Sequence, residues 1–171
     1  YYLHLMQHGI RHAPELDQML KEAITMLVLH LTARPWAETI AWTVNLRAPR
    51  VNLFVTGSSN EEAVTGRIFT EDVREPDRNF FYSQTTSPNL SAPRTSTLEV
   101  EGKDPVAWIS QFYDQSEQRC ARAFRLEDEN FALVAAQPDC DMKWFEALGI
   151  PITPVDDAGR HNPYPLMRLT A

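Results

Sequence analysis

The segment from Pro14 to Ala33 places the strongest constraint on the fold, because its apolar residues recur at helical spacing. Proline suits the first position of a helix, and Glu15 and Asp17 place negative charge at the positive end of the helix dipole. The apolar positions are Leu16, Met19, Leu20, Ala23, Ile24, Leu27, Val28 and Leu31, widened by Met26, Leu29 and Ala33. We therefore expect a core helix that is buried on more than one side and ends at Arg34-Pro35.

Two segments with alternating apolar and polar residues follow this helix. They run from Glu38 to Leu46 and from Arg50 to Thr56, and such alternation is typical of strands with one buried face. Because Ala48-Pro49 between them favours a turn, we predict a hairpin. The polar residues 57–60 are predicted to form a loop.

Further strands are predicted in the middle of the chain. Val64 to Thr70 is a strand candidate in which Gly66 marks a bulge or a close backbone approach. Asn79 to Gln84 and Thr97 to Glu101 are also predicted as strands. The Ser, Thr and Pro content of the segment from Thr85 to Ser96 predicts a mobile loop.

A second helix is predicted from Asp104 to Gln118. Asp104 can cap its first turn, and Pro105 fits the first helical position. Strand-like segments flank the helix on both sides, so its apolar face is expected to lie on a sheet. That face consists of Trp108, Ile109, Phe112 and Tyr113.

The last third of the chain predicts a second hairpin and a short helix. Extended runs from Arg119 to Leu126 and from Phe131 to Ala136 flank a polar turn, and Asp139 to Leu148 reads as a helix. The whole pattern predicts an α+β domain over residues 1–148, in which a mostly antiparallel sheet packs with one long core helix and a second amphipathic helix. Residues 149–171 are predicted to be a Pro-rich extended C-terminal tail.

Composition indicates which partners the protein is unsuited to bind and in which cellular compartment it is expected. The chain has 171 residues and a net charge of −7, which argues against binding to nucleic acid or to an anionic membrane surface. No apolar run reaches the roughly 18 to 20 residues of a membrane span. The chain opens at Tyr1 with no signal-peptide pattern. Cys120 and Cys140 are too few for a disulfide scaffold and lack the short spacing of a zinc site, so a cytoplasmic location is expected.

Two groups of residues could in principle form a metal site or a catalytic pair, and each also has a simpler interpretation. His4, His8 and His12 are spaced by four residues, so on a helix they would share one face and could hold a metal. Solvent-facing histidines are the simpler interpretation. Cys140 with His161 could be imagined as a nucleophile and its base, but the carboxylates next to Cys140 would raise the pKa of its thiol. We therefore predict no catalytic residue, no metal site and no enzyme.

One short run resembles a known family. Phe112, Tyr113, Ser116, Glu117 and Gln118 stand in an aromatic-aromatic-x-x-Ser-Glu-Gln pattern similar to one in the N-terminal substrate-binding domain of the bacterial redox-regulated chaperone Hsp33. The order of elements agrees with this resemblance, which covers roughly residues 12–148. His12-Ala13-Pro14 precedes the long helix, a hairpin follows it, and a polar loop leads to Thr65-Gly66.

The chain also departs from the Hsp33 pattern. Arg34-Pro35-Trp36 and Ala48-Pro49-Arg50 replace turns that are common in the family. Hsp33 proteins carry a C-terminal redox domain whose paired cysteines bind zinc, and Cys120 and Cys140 match none of these pairs. The resemblance thus implies a truncated or divergent member with no cofactor in this chain, and zinc is expected only if a C-terminal Cys-rich domain exists.

The resemblance implies an ATP-independent holdase-like domain that binds unfolded or partly folded proteins, and it is compatible with a homodimer. Such binding needs exposed apolar surface. Aromatic residues that could contribute are Trp36, Phe80, Phe81, Trp108 and Phe112. Two alternatives stay open: a non-catalytic scaffold or assembly component with one fixed protein partner, and a small metal-dependent enzyme built on the N-terminal histidines.

Overall fold

The computed structural model describes residues 2–34, 37–116, 121–125, 131–136 and 145–148. These residues form helices α1 (Tyr2–Gln7), α2 (Pro14–Thr32) and α3 (Pro105–Ser116). They also form strands β1 (Thr39–Leu46), β2 (Val51–Ser58), β3 (Ala63–Phe69), β4 (Phe80–Thr86), β5 (Arg94–Glu99), β6 (Ala121–Arg125), β7 (Phe131–Ala136) and β8 (Phe145–Leu148). None of the helices within these ranges is both long and apolar enough to cross a membrane.

The strands form two antiparallel sheets. The larger sheet has the order β3-β2-β1-β4-β5, and the smaller has the order β6-β7-β8. The predicted hairpin is the β1–β2 pair, whose register joins Thr39 to Ser58 and Leu46 to Val51. The predicted α+β class, with a mostly antiparallel sheet and two packed helices, is confirmed.

One face of the five-stranded sheet is covered by α2 and α3. Side chains of a strand alternate between the two faces, and every second residue of β1, β2 and β4 is buried. The phenyl ring of Phe112 in α3 lies 5.4 Å from that of Phe81 and 6.3 Å from the indole of Trp42, measured between ring centroids. The buried apolar residues of the sheet are Ile40, Trp42, Val44, Leu46, Val51, Leu53, Val55, Phe81 and Leu98.

Helix α2 is buried on more than one side, as predicted. It packs on β2 and β3, and it also contacts α3 and β7 of the second sheet. Its buried positions include the polar residues Glu22 and His30 as well as the apolar ones. Val28, which the periodicity placed in the buried stripe, is instead 39% exposed. It lies beside a surface groove that also borders Val64.

Gly66 is the point where α2 crosses β3. The β2–β3 register is continuous from Asn52↔Phe69 to Ser58↔Ala63, so the predicted alternative of a bulge is wrong. A Cβ atom at Gly66 would lie 2.6 Å from Cδ1 of Ile24 and 2.9 Å from Cδ1 of Leu20. The close approach that requires glycine at position 66 is therefore made by side chains of α2.

Helix α3 begins as the sequence predicts. The Asp104 carboxylate accepts a hydrogen bond of 3.0 Å from the Val106 amide, which satisfies one of the unpaired donors of the first turn. All four residues of its predicted apolar face are buried: Trp108, Ile109, Phe112 and Tyr113.

Two predicted loops are shorter than the local composition indicated. Gly57 and Ser58 belong to β2, because they pair with Ile40 and Thr39 of β1. The predicted loop from Thr85 to Ser96 is also wrong at both ends, since β4 runs to Thr86 and β5 starts at Arg94. Polar residues become strand here because a neighbouring strand offers backbone partners.

The short helix predicted from Asp139 to Leu148 is wrong at its C-terminal end. Phe145–Leu148 forms β8, which pairs with β7 through Ala136↔Phe145 and Leu133↔Leu148. Pairing with a formed hairpin outweighs the helix propensity of such a short segment. Residues 137–144, the predicted tail 149–171 and both cysteines lie outside the described residues.

Candidate functional site

The face of the five-stranded sheet opposite α2 and α3 carries four aromatic residues. These are Phe54, Phe69, Phe80 and Tyr82, and we call this surface the aromatic face. They share one face because cross-strand partners point the same way and residues alternate along each strand. Neither of the two long helices lies on it.

Strand register places the aromatic residues in two rows across the sheet. In the first row, Thr43 pairs with Phe54 on one side and with Tyr82 on the other. The backbones that carry these two rings are therefore two strand spacings apart, about 10 Å. The hydroxyl of Thr43 lies on the same face between them. This row therefore has an aromatic ring on each side and a hydroxyl group between them.

The second row has aromatic residues at a wider separation. Phe69 pairs with Asn52, Asn52 with Asn45, and Asn45 with Phe80. Three strand spacings, about 14 Å, thus separate the backbones of the two phenylalanines. The Asn52 Nδ2 donates a hydrogen bond of 2.6 Å to the Asn45 Oδ1, which fixes the two amides side by side. Amide groups with remaining capacity can bond to a polypeptide backbone.

The exposure of the aromatic face differs from that of the core face. Phe69 is 47% exposed, and Phe54, Phe80 and Tyr82 are half-buried, whereas Trp42 on the opposite side is 1% exposed. The Tyr82 hydroxyl donates a hydrogen bond of 3.2 Å to Gln84 within the same face. This surface can therefore contact a partner with aromatic rings while bonding it through amides and hydroxyls.

The two aromatic residues of the family-like motif, Phe112 and Tyr113, lie in the core. The Tyr113 hydroxyl is 2.7 Å from Nδ1 of His30 in α2, and the ring of Phe112 contacts Trp42 and Phe81. Ser116 is the last residue of α3. Glu117 and Gln118 lie outside the described residues. The aromatic pair of the motif therefore acts in packing α3 against α2 and the sheet, and it forms no surface site.

Arg125 of β6 connects the second sheet to both helices. Its Nη2 atom donates hydrogen bonds of 2.7 Å to Glu22 in α2 and 2.8 Å to Asp104 at the start of α3. The hydrogen bond to Glu22, followed by that to Asp104, raises the pKa of the Arg125 guanidinium. Gln18 also donates to Glu22, at 2.9 Å. The arginine thus partners a carboxylate that is buried in α2.

The structure does not bring the three N-terminal histidines onto one helical face. Helix α1 ends at Gln7, and Gly9 adopts a left-handed φ of 62°. His12 therefore lies beyond the end of the helix on which His4 stands. In the part of the chain that the structure describes, no group of three His, Cys, Asp or Glu residues could hold a metal ion. The suggested Cys140–His161 pair falls outside that part.

The aromatic residues named from sequence as contributors to an exposed patch fall in three places. Trp108, Phe112 and Phe81 are buried in the core, so these three do not contribute to an exposed patch. Phe80 lies on the aromatic face. Trp36 lies outside the described residues.

Sequence reasoning missed Phe54, Phe69 and Tyr82. The available signal was the position of Phe54 on the otherwise polar side of the alternating segment from Arg50 to Thr56. Large apolar residues on the polar side of a strand indicate either a second packing layer or a binding surface.

Comparisons with known proteins return matches among solved structures. No family model and no curated protein matches the chain. The solved structures that resemble it include the 33 kDa chaperonin (heat shock protein 33 homologue) of Thermotoga maritima, with 13% sequence identity and a TM-score of 0.49. The alignment covers 67% of this chain and 45% of that chain, so this chain spans less than half of its length.

Proposed function

We propose that this chain is an ATP-independent, holdase-like domain of the Hsp33 type that binds unfolded or partly folded polypeptides on its aromatic face. The observation that carries the proposal is the cross-strand register that sets Phe54 and Tyr82 on either side of Thr43, opposite the helix-covered core. Exposed and half-buried aromatic residues grouped on one sheet face are typical of an interaction surface.

The geometry of the aromatic face suits an extended polypeptide. Side chains on one side of an extended chain recur about every 7 Å, so every second one of them, about 14 Å apart, matches the spacing of the wider row of rings. Thr43, Asn45 and Asn52 supply hydrogen-bonding groups between the rings. Aromatic contact tolerates many apolar side chains, so such a surface selects extended and apolar segments without requiring one sequence.

The proposed function is binding, with no chemical step. The sequence carries no Gly-rich phosphate loop and no nucleophile motif, and the Cys120 and Cys140 positions match no thiol switch of the Hsp33 kind. Capture in this proposal therefore depends on apolar contact and hydrogen bonding at the aromatic face. Binding of this kind is expected to be independent of nucleotide and of thiol reductants.

Light scattering of a heat-denatured client enzyme tests this proposal. We expect stoichiometric amounts of the protein to suppress aggregation without nucleotide, and the double variant Phe54→Ser/Tyr82→Ser to lose most of that suppression. Met6 and Ile10 are 79% and 39% exposed and belong to the N-terminal segment, outside the five-stranded sheet. Met6→Ser/Ile10→Ser is therefore a matched control that removes exposed apolar surface elsewhere.

The outcomes separate the proposal from its alternative. Equal suppression by both double variants would remove the aromatic face as the binding surface. A wild-type protein that fails to suppress aggregation, yet saturates with a single partner, would favour a scaffold or assembly component. Circular dichroism of each variant establishes that the fold is retained.

A further inference from the structure

Strand β3 forms one edge of the five-stranded sheet. It pairs with β2 through Asn52↔Phe69 to Ser58↔Ala63, and no other strand in the described ranges pairs with its second side. An edge strand presents a row of backbone N–H and C=O groups that can accept an additional strand. Two of the features that commonly block such addition are absent from β3, since it holds no proline and its register with β2 is continuous.

A surface groove lies beside the first residues of β3. It has a volume of about 380 Å³ and a mixed lining of apolar and polar residues: Val28, Leu31, Thr32, Ser58, Ser59, Glu62, Ala63 and Val64. Val28 and Val64 are 39% and 40% exposed. An aliphatic side chain of a strand added at this edge would point into the groove and cover both valines. We call the outer edge of β3 with this groove the β3 edge.

Carboxylates stand at both ends of the β3 edge. Glu61 and Glu62 immediately precede the strand, and Glu71 and Asp72 follow it closely. All four are exposed, and within the described residues none of them forms a salt bridge. Arg67 is the single charged side chain between them in β3. The edge is thus negative at both ends and largely uncharged along its length.

This charge pattern disfavours a second copy of the chain as the occupant. In antiparallel self-pairing, Glu61 and Glu62 of one copy would face the acidic pair that follows β3 in the other copy. Parallel pairing would bring identical carboxylates together. Both arrangements place like charges side by side in a chain whose net charge is −7, which opposes association.

We propose that the β3 edge binds an extended polypeptide segment that is basic at both ends and apolar between them, by addition of that segment as a sixth strand. Glu62 and Glu71 are nine positions apart, so an extended backbone places them at most roughly 30 Å from each other. A matching segment carries lysine or arginine about eight residues apart, with alternating aliphatic side chains that reach the groove. Backbone bonds supply the affinity, and the charges select the segment.

A labelled peptide tests this proposal on the whole chain. The probe has Lys at its first and ninth positions and alternating Val and Thr between, and fluorescence anisotropy measures its dissociation constant. One control peptide has Glu at both ends, and another keeps Lys but has Pro at its centre, which removes a backbone donor. We expect binding of the Lys peptide alone, together with slower hydrogen exchange of the amides of residues 63–69.

Charge variants of the protein provide the second arm. We expect Glu61→Gln/Glu62→Gln to weaken binding of the Lys peptide about fivefold at low salt. A fivefold change in the dissociation constant corresponds to about 1 kcal/mol, which is the upper end of what exposed ion pairs contribute. Glu101→Gln/Asp114→Asn removes two exposed charges elsewhere and is expected to change the dissociation constant less than twofold. Glu71→Gln/Asp72→Asn should resemble the first variant.

Several results would overturn the proposal. They are equal binding of the Lys and Glu peptides, equal binding of the peptide with central Pro, and unchanged exchange of the β3 amides. The β3 edge does not use Phe54 or Tyr82. The Phe54→Ser/Tyr82→Ser variant should therefore bind the Lys peptide like the wild type, and failure of the proposed holdase function would leave this result intact.

Discussion

The Nδ1 atom of His30 in α2 lies 2.7 Å from the hydroxyl oxygen of Tyr113 in α3. Both residues are nearly fully buried, and their rings are stacked with centroids 5.6 Å apart. A polar contact joins the two helices in this way at the centre of an otherwise apolar cluster that includes Trp42 and Phe112. A buried polar pair of this kind fixes the relative placement of the helices more sharply than apolar packing alone.

Removal of the Tyr113 hydroxyl tests the value of this contact. Tyr113→Phe keeps the ring and its packing but removes the hydrogen bond to His30, so we expect it to lower the free energy of unfolding by about 1 to 2 kcal/mol. Urea denaturation measures the change. Tyr82→Phe removes a half-buried hydroxyl on the aromatic face and should cost less than half as much. Equal costs for the two variants would contradict the assigned role of the buried pair.

The two glycines under α2 are predicted to differ in their tolerance of a methyl group. At Gly66 an added Cβ would lie within 3.0 Å of Ile24 Cδ1, Ile24 Cγ1 and Leu20 Cδ1. At Gly57 only the flexible end of Leu31 lies that close, at 2.6 Å. We expect Gly66→Ala to destabilise by about 1 to 3 kcal/mol and Gly57→Ala by clearly less, as measured by thermal unfolding. The reverse order would show that α2 crosses the sheet elsewhere.

Arg125 is predicted to contribute more to folding stability than an arginine whose carboxylate partner is exposed. Its own side chain is 42% exposed, but that of its partner Glu22 is only 6% exposed. Arg125→Met would remove its hydrogen bonds to the buried Glu22 and to Asp104, leaving Glu22 with less compensation for its burial. We expect a loss of about 2 to 3 kcal/mol in chemical denaturation. Arg78 pairs with Glu99 at 2.9 Å, and both side chains are more than half exposed. Arg78→Met is the matched control and should cost less than about 1 kcal/mol.

Glu62 is predicted to be unfavourable for folding stability. Its φ of 51° lies in the left-handed region, which asparagine enters at lower cost than glutamate. We expect Glu62→Asn to raise the free energy of unfolding by about 0.5 kcal/mol in urea titrations. Glu61, the preceding residue, has no positive φ, so Glu61→Asn should give no gain. A gain at Glu61 that equals the gain at Glu62 would point to a general effect of charge removal.

Periodicity predicted the elements whose burial pattern is regular. The stripe of α2, the alternation of β1 and β2, and the cap and apolar face of α3 follow from local sequence and match the structure. Each of these has one apolar side that must be buried, so local pattern and tertiary packing agree. Local sequence was least informative where strand pairing decides the outcome, as in β8 and at the ends of β4 and β5.

The candidate site could not be predicted in the same way. The aromatic residues of this face come from β2, β3 and β4, and only the register of these strands with β1 and with one another brings Phe54, Phe69, Phe80 and Tyr82 together. Conversely, Phe81 and Phe112 read as candidates for a surface patch but are required by the core. An aromatic residue can pack in the core or form a binding surface. In a strand, the face of the sheet to which its side chain points decides between the two.

The most direct test of the account is the affinity of the wild-type protein for a permanently unfolded, fluorescently labelled client, compared with that of Phe54→Ser/Tyr82→Ser. Binding energy concentrated on aromatic contacts predicts a dissociation constant about tenfold or more higher for this variant, and an unchanged one for Met6→Ser/Ile10→Ser. Equal affinity of the wild type and the aromatic-face variant, with both folded by circular dichroism, would contradict the account.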